Sequence, residues 1–183
     1  MVAFATEYMH ISCLGDYAED AVNSDVESFS ELHGQAFLIH HGPLGKLHEP
    51  PAGAGTLAIE EGGAEPRFDP REDFLVFPVS HRGGRGPSID PIWVGREENN
   101  DVVIPDASVS SVHAYFTQEK GGAYKLQDLG SKNGSFIDNQ RVPSKDEGPA
   151  VGLNSNCRIR FGAVTLTFLL AGDFFTLVNT FST

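Results

Sequence analysis

From Phe74 to Phe168 the chain repeats one local plan, a short run of β-branched and aromatic residues followed by a turn signal. The runs are Phe74–Val79, Pro91–Gly95, Val102–Ile104, His113–Thr117, Ala123–Asp128, Ser135–Asp138, Cys157–Phe161 and Val164–Phe168. Gly121-Gly122, Asn133-Gly134, Asp138-Asn139 and Phe161-Gly162 punctuate them. Within Arg158–Phe161 and Thr165–Phe168 polar and apolar residues alternate, the period of a strand with one buried face. A spacing of about 8–12 residues leaves no room for helical crossovers, which disfavours parallel α/β folds and predicts an antiparallel sandwich or barrel. Thirteen Phe against two Met and one Trp lean the same way.

Composition shifts divide the 183 residues into three stretches. Residues 1–72 are expected to form an acidic N-terminal extension and linker. Within it Val26–His33 reads as a short helix ended by Gly34, and Ala36–His41 as a strand closed by Gly42-Pro43. Residues 48–72, with Pro50-Pro51-Ala52-Gly53-Ala54-Gly55 and Glu60-Glu61-Gly62-Gly63, have linker chemistry. Residues 73–170 carry the β pattern and form the expected main domain. Residues 171–183 form a tail in which Ala171–Val178 reads as a short helix capped by Asp173, or else as an edge strand.

Charge narrows the partners. The formal net charge of -12 argues against nucleic acid or an anionic membrane. The imbalance sits early: residues 1–91 hold 5 Lys/Arg against 15 Asp/Glu, whereas residues 92–170 hold 8 against 9. The β-rich stretch can therefore host a local positive pocket. Cys13 and Cys157 lie far apart and make no metal spacing, so two reduced thiols are expected. The first residues lack a basic start and an apolar run, and Ala163–Ala171 is too short to span a bilayer. A cytoplasmic location is expected.

Three clusters carry the chemistry: Gly95-Arg96, Ser110-Ser111-Val112-His113 and Gly130-Ser131-Lys132-Asn133-Gly134. Each sits at a predicted strand end. Arg96 can give paired hydrogen bonds to a phosphate, although a surface arginine beside Glu97 and Glu98 would look the same. Ser110 can donate to a phosphate oxygen or satisfy its own turn. Alternation points His113 inward, as a buried, hydrogen-bonded group. Asn133-Gly134 signals a tight turn because both residues tolerate positive φ. Its amide can also donate to and accept from a peptide backbone, with Lys132 as a point charge beside it. Nothing resembles a nucleophile elbow, so recognition is favoured over catalysis.

In order along the chain, Gly95-Arg96, Asn100–Asp106, Val109-Ser110-x-x-His113-Ala114 and Leu126-x-Asp128-x-Gly130-Ser131-x-Asn133-Gly134 resemble the forkhead-associated (FHA) domain. Phe136–Val142 and Arg158–Gly162 continue the resemblance, which covers residues 73–170. It implies a mainly β fold, an antiparallel sandwich of about eleven strands whose loops at one end bind phosphothreonine peptides. By position, Arg96 and Ser110 would contact the phosphate, Ser111 and Lys132 would flank it, and Asn133 would hold the peptide main chain. Gly95, His113 and Gly134 match positions that shape the loops. Late loops set peptide selectivity in the family, which here suggests the turn at Gly162-Ala163. The chain departs at Ser111, often Arg or Asn, at Lys132, often Thr, and at Asp138-Asn139, often Asn-Gly.

The implied function is a phosphothreonine-binding adaptor in serine/threonine kinase signalling, its partner a threonine-phosphorylated kinase or kinase substrate, with no cofactor and no metal. A second reading keeps the sandwich but fills the pocket, either with carboxylates from residues 16–31 or 60–73 or with Thr56 phosphorylated in cis. A third makes the chain an enzyme through Ser110 and His113, or through a metal on His33, His40, His41 and His48. Without Cys or Asp at ligand spacing the metal reading is weak.

Overall fold

Alternation sets the faces of each strand, and those faces define the layers. The computed structural model describes residues 11–41, 69–82 and 90–182. Of the predicted linker 48–72, residues 48–68, with His48 and Thr56, lie outside the described residues, as does most of the glycine-rich stretch 81–87, whereas Pro70–Asp73 is a helical turn and not linker. In β11 (Arg158–Phe161) Ile159 and Phe161 are fully buried, whereas Arg158 is exposed. In β12 (Val164–Leu170) Val164, Leu166 and Phe168 point the same way into the core.

The architecture is the expected mainly β sandwich. A seven-stranded sheet runs β1 (Ser12–Cys13), β3 (Phe74–Pro78), β2 (Ala36–His41), β12, β11, β8 (Ser135–Ile137), β9 (Gln140–Arg141). Against it packs a five-stranded sheet in the order β10 (Val151–Leu153), β7 (Tyr124–Asp128), β6 (Ala114–Gln118), β4 (Ile92–Gly95), β5 (Val102–Val103). The predicted runs become strands within one or two residues of their expected ends. The very short β1 and β9, together with β10, bring the described total to twelve. Every ladder is antiparallel except β4–β5, which is parallel. Between the sheets Leu38, Phe116, Leu126, Ile159, Phe161 and Phe168 are completely buried.

Residues 36–41 take a place that composition does not suggest. β2 pairs with β12 from Ala36–Leu170 to Ile39–Thr167, and with β3 from Phe37–Pro78 to His41–Phe74. It therefore joins the two halves of the larger sheet. Ala36 and Leu38 face the inter-sheet core, while Phe37 and Ile39 face outward.

That outward face is covered by helices, the chain's third layer. A 3-10 turn (Leu14–Tyr17), α1 (Ala18–Asn23) and α2 (Val26–His33) meet the C-terminal α4 (Ala171–Phe181) over β2 and β3. A fourth helix, α3 (Pro70–Asp73), is a single turn leading into β3. Asp25 caps α2 by accepting from Ser28 N at 2.9 Å, and Gly34 closes it as predicted. Phe29, Phe37 and Phe174 are all fully buried, and Phe37 stacks on Phe174 at 4.0 Å. At about 1.5–3 kcal/mol for each such side chain, this layer is a substantial part of the fold. The tail helix exists, but its N-cap is Leu170 and not Asp173, whose carboxylate accepts from Asn156 Nδ2. Phe174 and Phe175 are spent on this layer, Phe175 lying 5.3 Å from Phe29. Both cysteines are free thiols.

A protein that begins at Asp73 would lack β1, β2, α1 and α2, leaving β3 and β12 with open edges. It is expected to show no cooperative urea transition, whereas the full chain does. A cooperative transition at the full-length midpoint would mean that the sheet closes without β2.

Candidate functional site

Four connections meet at one end of the sandwich, and the segment Ser108–Ser110 is what they share. From the β4–β5 loop, Arg96 N donates to Ser110 O at 2.9 Å. From the β7–β8 loop, Lys132 N donates to Ser110 Oγ at 3.1 Å and Asn133 Nδ2 to Ser108 O at 2.7 Å. From the β11–β12 turn, Ala163 N donates to Ser108 Oγ at 2.9 Å, and Gly162 N reaches Gly134 O at 3.1 Å. Arg96, Ser110, Lys132 and Asn133 are thereby gathered around one strip of backbone.

Buried polar groups hold that strip. His113 is fully buried, as its alternation predicted. Its Nδ1 accepts from Ser110 N at 3.0 Å, so the ring proton lies on Nε2, which donates to Gly134 O at 3.2 Å. The ring thus spans the β5–β6 and β7–β8 loops. Burial lowers its pKa against the opposing pull of Gly134 O and Asp128, which keeps the ring neutral. Because its Nδ1 takes the backbone N–H of Ser110 and not the hydroxyl, Ser110 and His113 do not form a nucleophile–base pair.

Asp128, at the end of β7, organises the next loop. It accepts from Gly130 N, Ser131 N, Ser131 Oγ and Ser135 Oγ at 2.6–2.9 Å. Burial would raise its pKa, but those four bonds win and lower it. The loop then turns at Gly134, whose φ of +77° suits glycine. Asn133 does not share that conformation, contrary to the expectation for the pair. The Asp138-Asn139 hairpin does hold both residues at positive φ, +47° and +69°, as its β8–β9 turn requires.

Gly95 is fixed by crowding. A Cβ there would lie 2.2 Å from Ser111 O and 2.7 Å from Asn100 Nδ2. Asn100 itself is buried and donates to Glu97 O and Ser111 O, both at 2.7 Å, pinning the loop that carries Arg96. The sequence reading placed Asn100 and Asp128 in the quoted motifs without giving either a role, and did not mark Ser108. The Asp-x-Gly-Ser pattern after β7 was the available signal for Asp128, since short acidic side chains accept from backbone two residues on. For Asn100 and Ser108 the contacts that tie separate segments together, to Ser111, Asn133 and Ala163, join residues too distant in sequence to leave one.

With the scaffold groups satisfied, the exposed groups are not. Arg96, Lys132 and Asn133 are exposed, and Ser110 and Ser111 half-buried. Among the described residues no carboxylate lies within ion-pair distance of Arg96 or Lys132. Ser110 Oγ accepts from Lys132 N, which leaves its hydroxyl proton to donate. Of the carboxylates expected to occlude the pocket, Asp16 engages Cys13 N, Asp20 His33, Asp25 Ser28 N and Asp69 Arg71, while Glu60, Glu61 and Glu65 lie outside the described residues. Of the histidines of the metal reading, His33 bonds Asp20 and His41 bonds Thr167, His48 lies outside the described residues, and among the described residues no group of three or more His, Cys, Asp or Glu could hold a metal ion. No helix among the described residues is long and apolar enough to cross a membrane.

Known proteins are similar to this chain. A family model described as FHA domain matches residues 92–162. The chain is 30% identical over 120 residues to an oxoglutarate dehydrogenase inhibitor of Corynebacterium diphtheriae, covering 66% of this chain and 68% of that protein. It is 27% identical over 159 residues to the glycogen accumulation regulator GarA of Mycolicibacterium smegmatis, covering 84% and 86%. Among solved structures it is similar to EmbR of Mycobacterium tuberculosis in complex with a low affinity phosphopeptide. That match is 33% identical with a TM-score of 0.38, over 48% of this chain and 22% of the other.

The His113 contacts predict a titration. Because its folded pKa is lowered, the ring's contribution to stability is complete at neutral pH and is lost on acidification, when a proton on Nδ1 displaces Ser110 N. Two-dimensional NMR of the imidazoles should show the Nε2–H tautomer with a midpoint below the ordinary histidine range. A midpoint above that range would contradict the described contacts.

Proposed function

The chain belongs to the FHA family, and on that premise we propose that it is an adaptor binding threonine-phosphorylated peptides at the loops around Ser108–Ser110. The single observation that supports this most is the gathering of Arg96, Ser110, Lys132 and Asn133 through hydrogen bonds to one strip, with both cations lacking a described carboxylate partner. Arg96 and Lys132 supply charge to the phosphate, and the Ser110 and Ser111 hydroxyls supply directional donors. Asn133, one Nδ2 hydrogen already on Ser108 O, keeps its second hydrogen and Oδ1 for a peptide backbone. Gly95, His113 and Gly134 fix the loops without touching ligand. The Gly162-Ala163 turn, which is bonded to Gly134 and Ser108, would sample residues beyond the phosphothreonine.

Magnitudes favour a phosphate over a carboxylate. A phosphothreonine carries about -1.5 to -2 charge at neutral pH and three strong acceptor oxygens. Each hydrogen bond from a charged donor contributes about 1.5–3 kcal/mol, and about 1.4 kcal/mol is tenfold in affinity. Two or three such bonds separate a micromolar complex from none. The relatives named as an inhibitor and a regulator fit a protein that acts by binding a partner, here a threonine-phosphorylated kinase or kinase substrate.

The test is capture on an immobilised degenerate phosphothreonine peptide library beside its unphosphorylated counterpart, followed by calorimetry on a selected peptide. Wild type should bind only the phosphorylated library. Arg96→Ala should lose measurable binding while its unfolding free energy in urea changes by less than about 0.5 kcal/mol, as for an exposed side chain with no described partner. Binding by that variant at wild-type affinity would rule out the site. Asn133→Ala should bind about 10- to 100-fold more weakly and gain less from a longer peptide. Full affinity for long peptides in that variant would remove its backbone-holding role.

A further inference from the structure

The helical layer covers only one half of the larger sheet's outer face. It packs on β2, β3 and the end of β12 through Phe37, Ile39, Phe74, Val76 and Leu169. Beyond β12 the outward side chains are Arg158 and Arg160 of β11, Phe136 of β8 and Arg141 of β9. Register places Thr165, Arg160, Phe136 and Arg141 in one row across β12, β11, β8 and β9. Arg158, two residues before Arg160, lies on the same face beside Thr167. Arg141 and Arg158 are exposed in a chain of net charge -12.

This row is joined to the binding loops. The Phe136 ring carries the Arg160 guanidinium 3.7 Å above its centroid, and Arg160 also donates to Gly162 O at 2.6 Å. The edge of the same ring lies 3.1 Å from where a Cβ on Gly134 would be, and Arg141 Nε 3.7 Å from it. Gly134 follows Asn133 directly. A chain leaving the Asn133 side chain across Gly134 or Gly162 therefore meets guanidinium groups at once. Two carboxylates border the patch. Asp138 spends one oxygen on Arg158 N, and Glu147 one on Ser144 N. Among the described residues neither is within ion-pair distance of Arg141, Arg158 or Arg160.

We propose that this arginine-lined face extends the peptide site and takes acidic side chains flanking the phosphothreonine of the same partner. The inference rests on the phosphothreonine reading. Arg160 is held by Phe136 and Gly162 and serves as the fixed part of the surface. Arg158 is free to reach a ligand carboxylate. Arg141 is exposed but feels Glu147, whose pKa is lowered by the hydrogen bonds at Ser144 and then by the Arg141 charge, so a ligand carboxylate would share Arg141 with that neighbour. Exposed pairs of this kind are individually weak and fade as salt screens them, so they tune affinity and do not create it.

The test uses the full chain, wild type and with Arg141→Gln and Arg158→Gln combined, and three phosphothreonine peptides of one core sequence. One has neutral flanks, one carries glutamates before the phosphothreonine, and one carries them after it. At low salt, wild type should bind one acidic-flank peptide about five- to tenfold more tightly than the neutral one. The double variant should bind all three with the wild-type affinity for the neutral peptide. Equal affinities in wild type, or a preference that survives in the double variant, would overturn the inference and leave the phosphothreonine site standing. Failure of wild type to bind any phosphothreonine peptide would overturn both. Should the double variant lose the neutral peptide as well, Arg158→Gln alone carries the comparison, because its side chain has no described partner.

Discussion

The neutral imidazole of His113 sets the separation of two loops, and the proposed site depends on that separation. One nitrogen accepts from Ser110 N while the other donates to Gly134 O, so two loops from different strands are held by a single rigid ring. In a buried setting such bonds are costly to leave unmade, and the ring has no room to rotate away. Ser110 then receives Lys132 N, and Ser108 receives Asn133, so each further contact builds on the position the ring has fixed. Asp128 does the same for the front of the β7–β8 loop by accepting four hydrogen bonds.

The end of the sandwich therefore divides into spent and unspent groups. His113, Asp128, Asn100 and Ser135 are buried and satisfied; Arg96 and Lys132 are exposed, and half-buried Ser110, whose Oγ accepts from Lys132 N, keeps its hydroxyl proton to donate. Preorganised donors lose little freedom on meeting an anion, which lets a few bonds decide affinity. The acidic remainder of the chain opposes an incoming phosphate only over distances that salt screens within about 8–10 Å. At contact the local cations dominate. The same reasoning applies to the outer face, where Arg141, Arg158 and Arg160 stand on the nearly neutral part of the chain and the surplus carboxylates belong to its first half.

Local patterns in the sequence located most strands, because alternation and turn residues act over a few positions. The inward direction of His113, the strand Ala36–His41 and the helix Val26–His33 could be read in that way. Relations between distant residues could not. Nothing near Ala36 says that it will pair with Leu170, and linker-like residues after His41 made the strand look peripheral when it joins two halves of a sheet. The need for Gly95 is a collision with Ser111 O across a loop, invisible without coordinates. Asp173 looked like a helix cap from composition, yet β12 runs straight into the helix at Leu170, so the helix begins before the aspartate. The loop clusters were legible only as a set, since each taken alone suits an ordinary turn.

The central claim is that one phosphate is held jointly by side chains from three loops fixed by His113. Nitrogen-15 NMR of the full chain, titrated with a phosphothreonine peptide and with its unphosphorylated form, tests this directly. The account predicts large shifts at Arg96 Nε, the amides of Ser110, Ser111 and Lys132 and the Asn133 side-chain amide, produced by the phosphorylated peptide alone and saturating together at one concentration. Shifts confined to other surfaces, or identical with and without the phosphate, would contradict it.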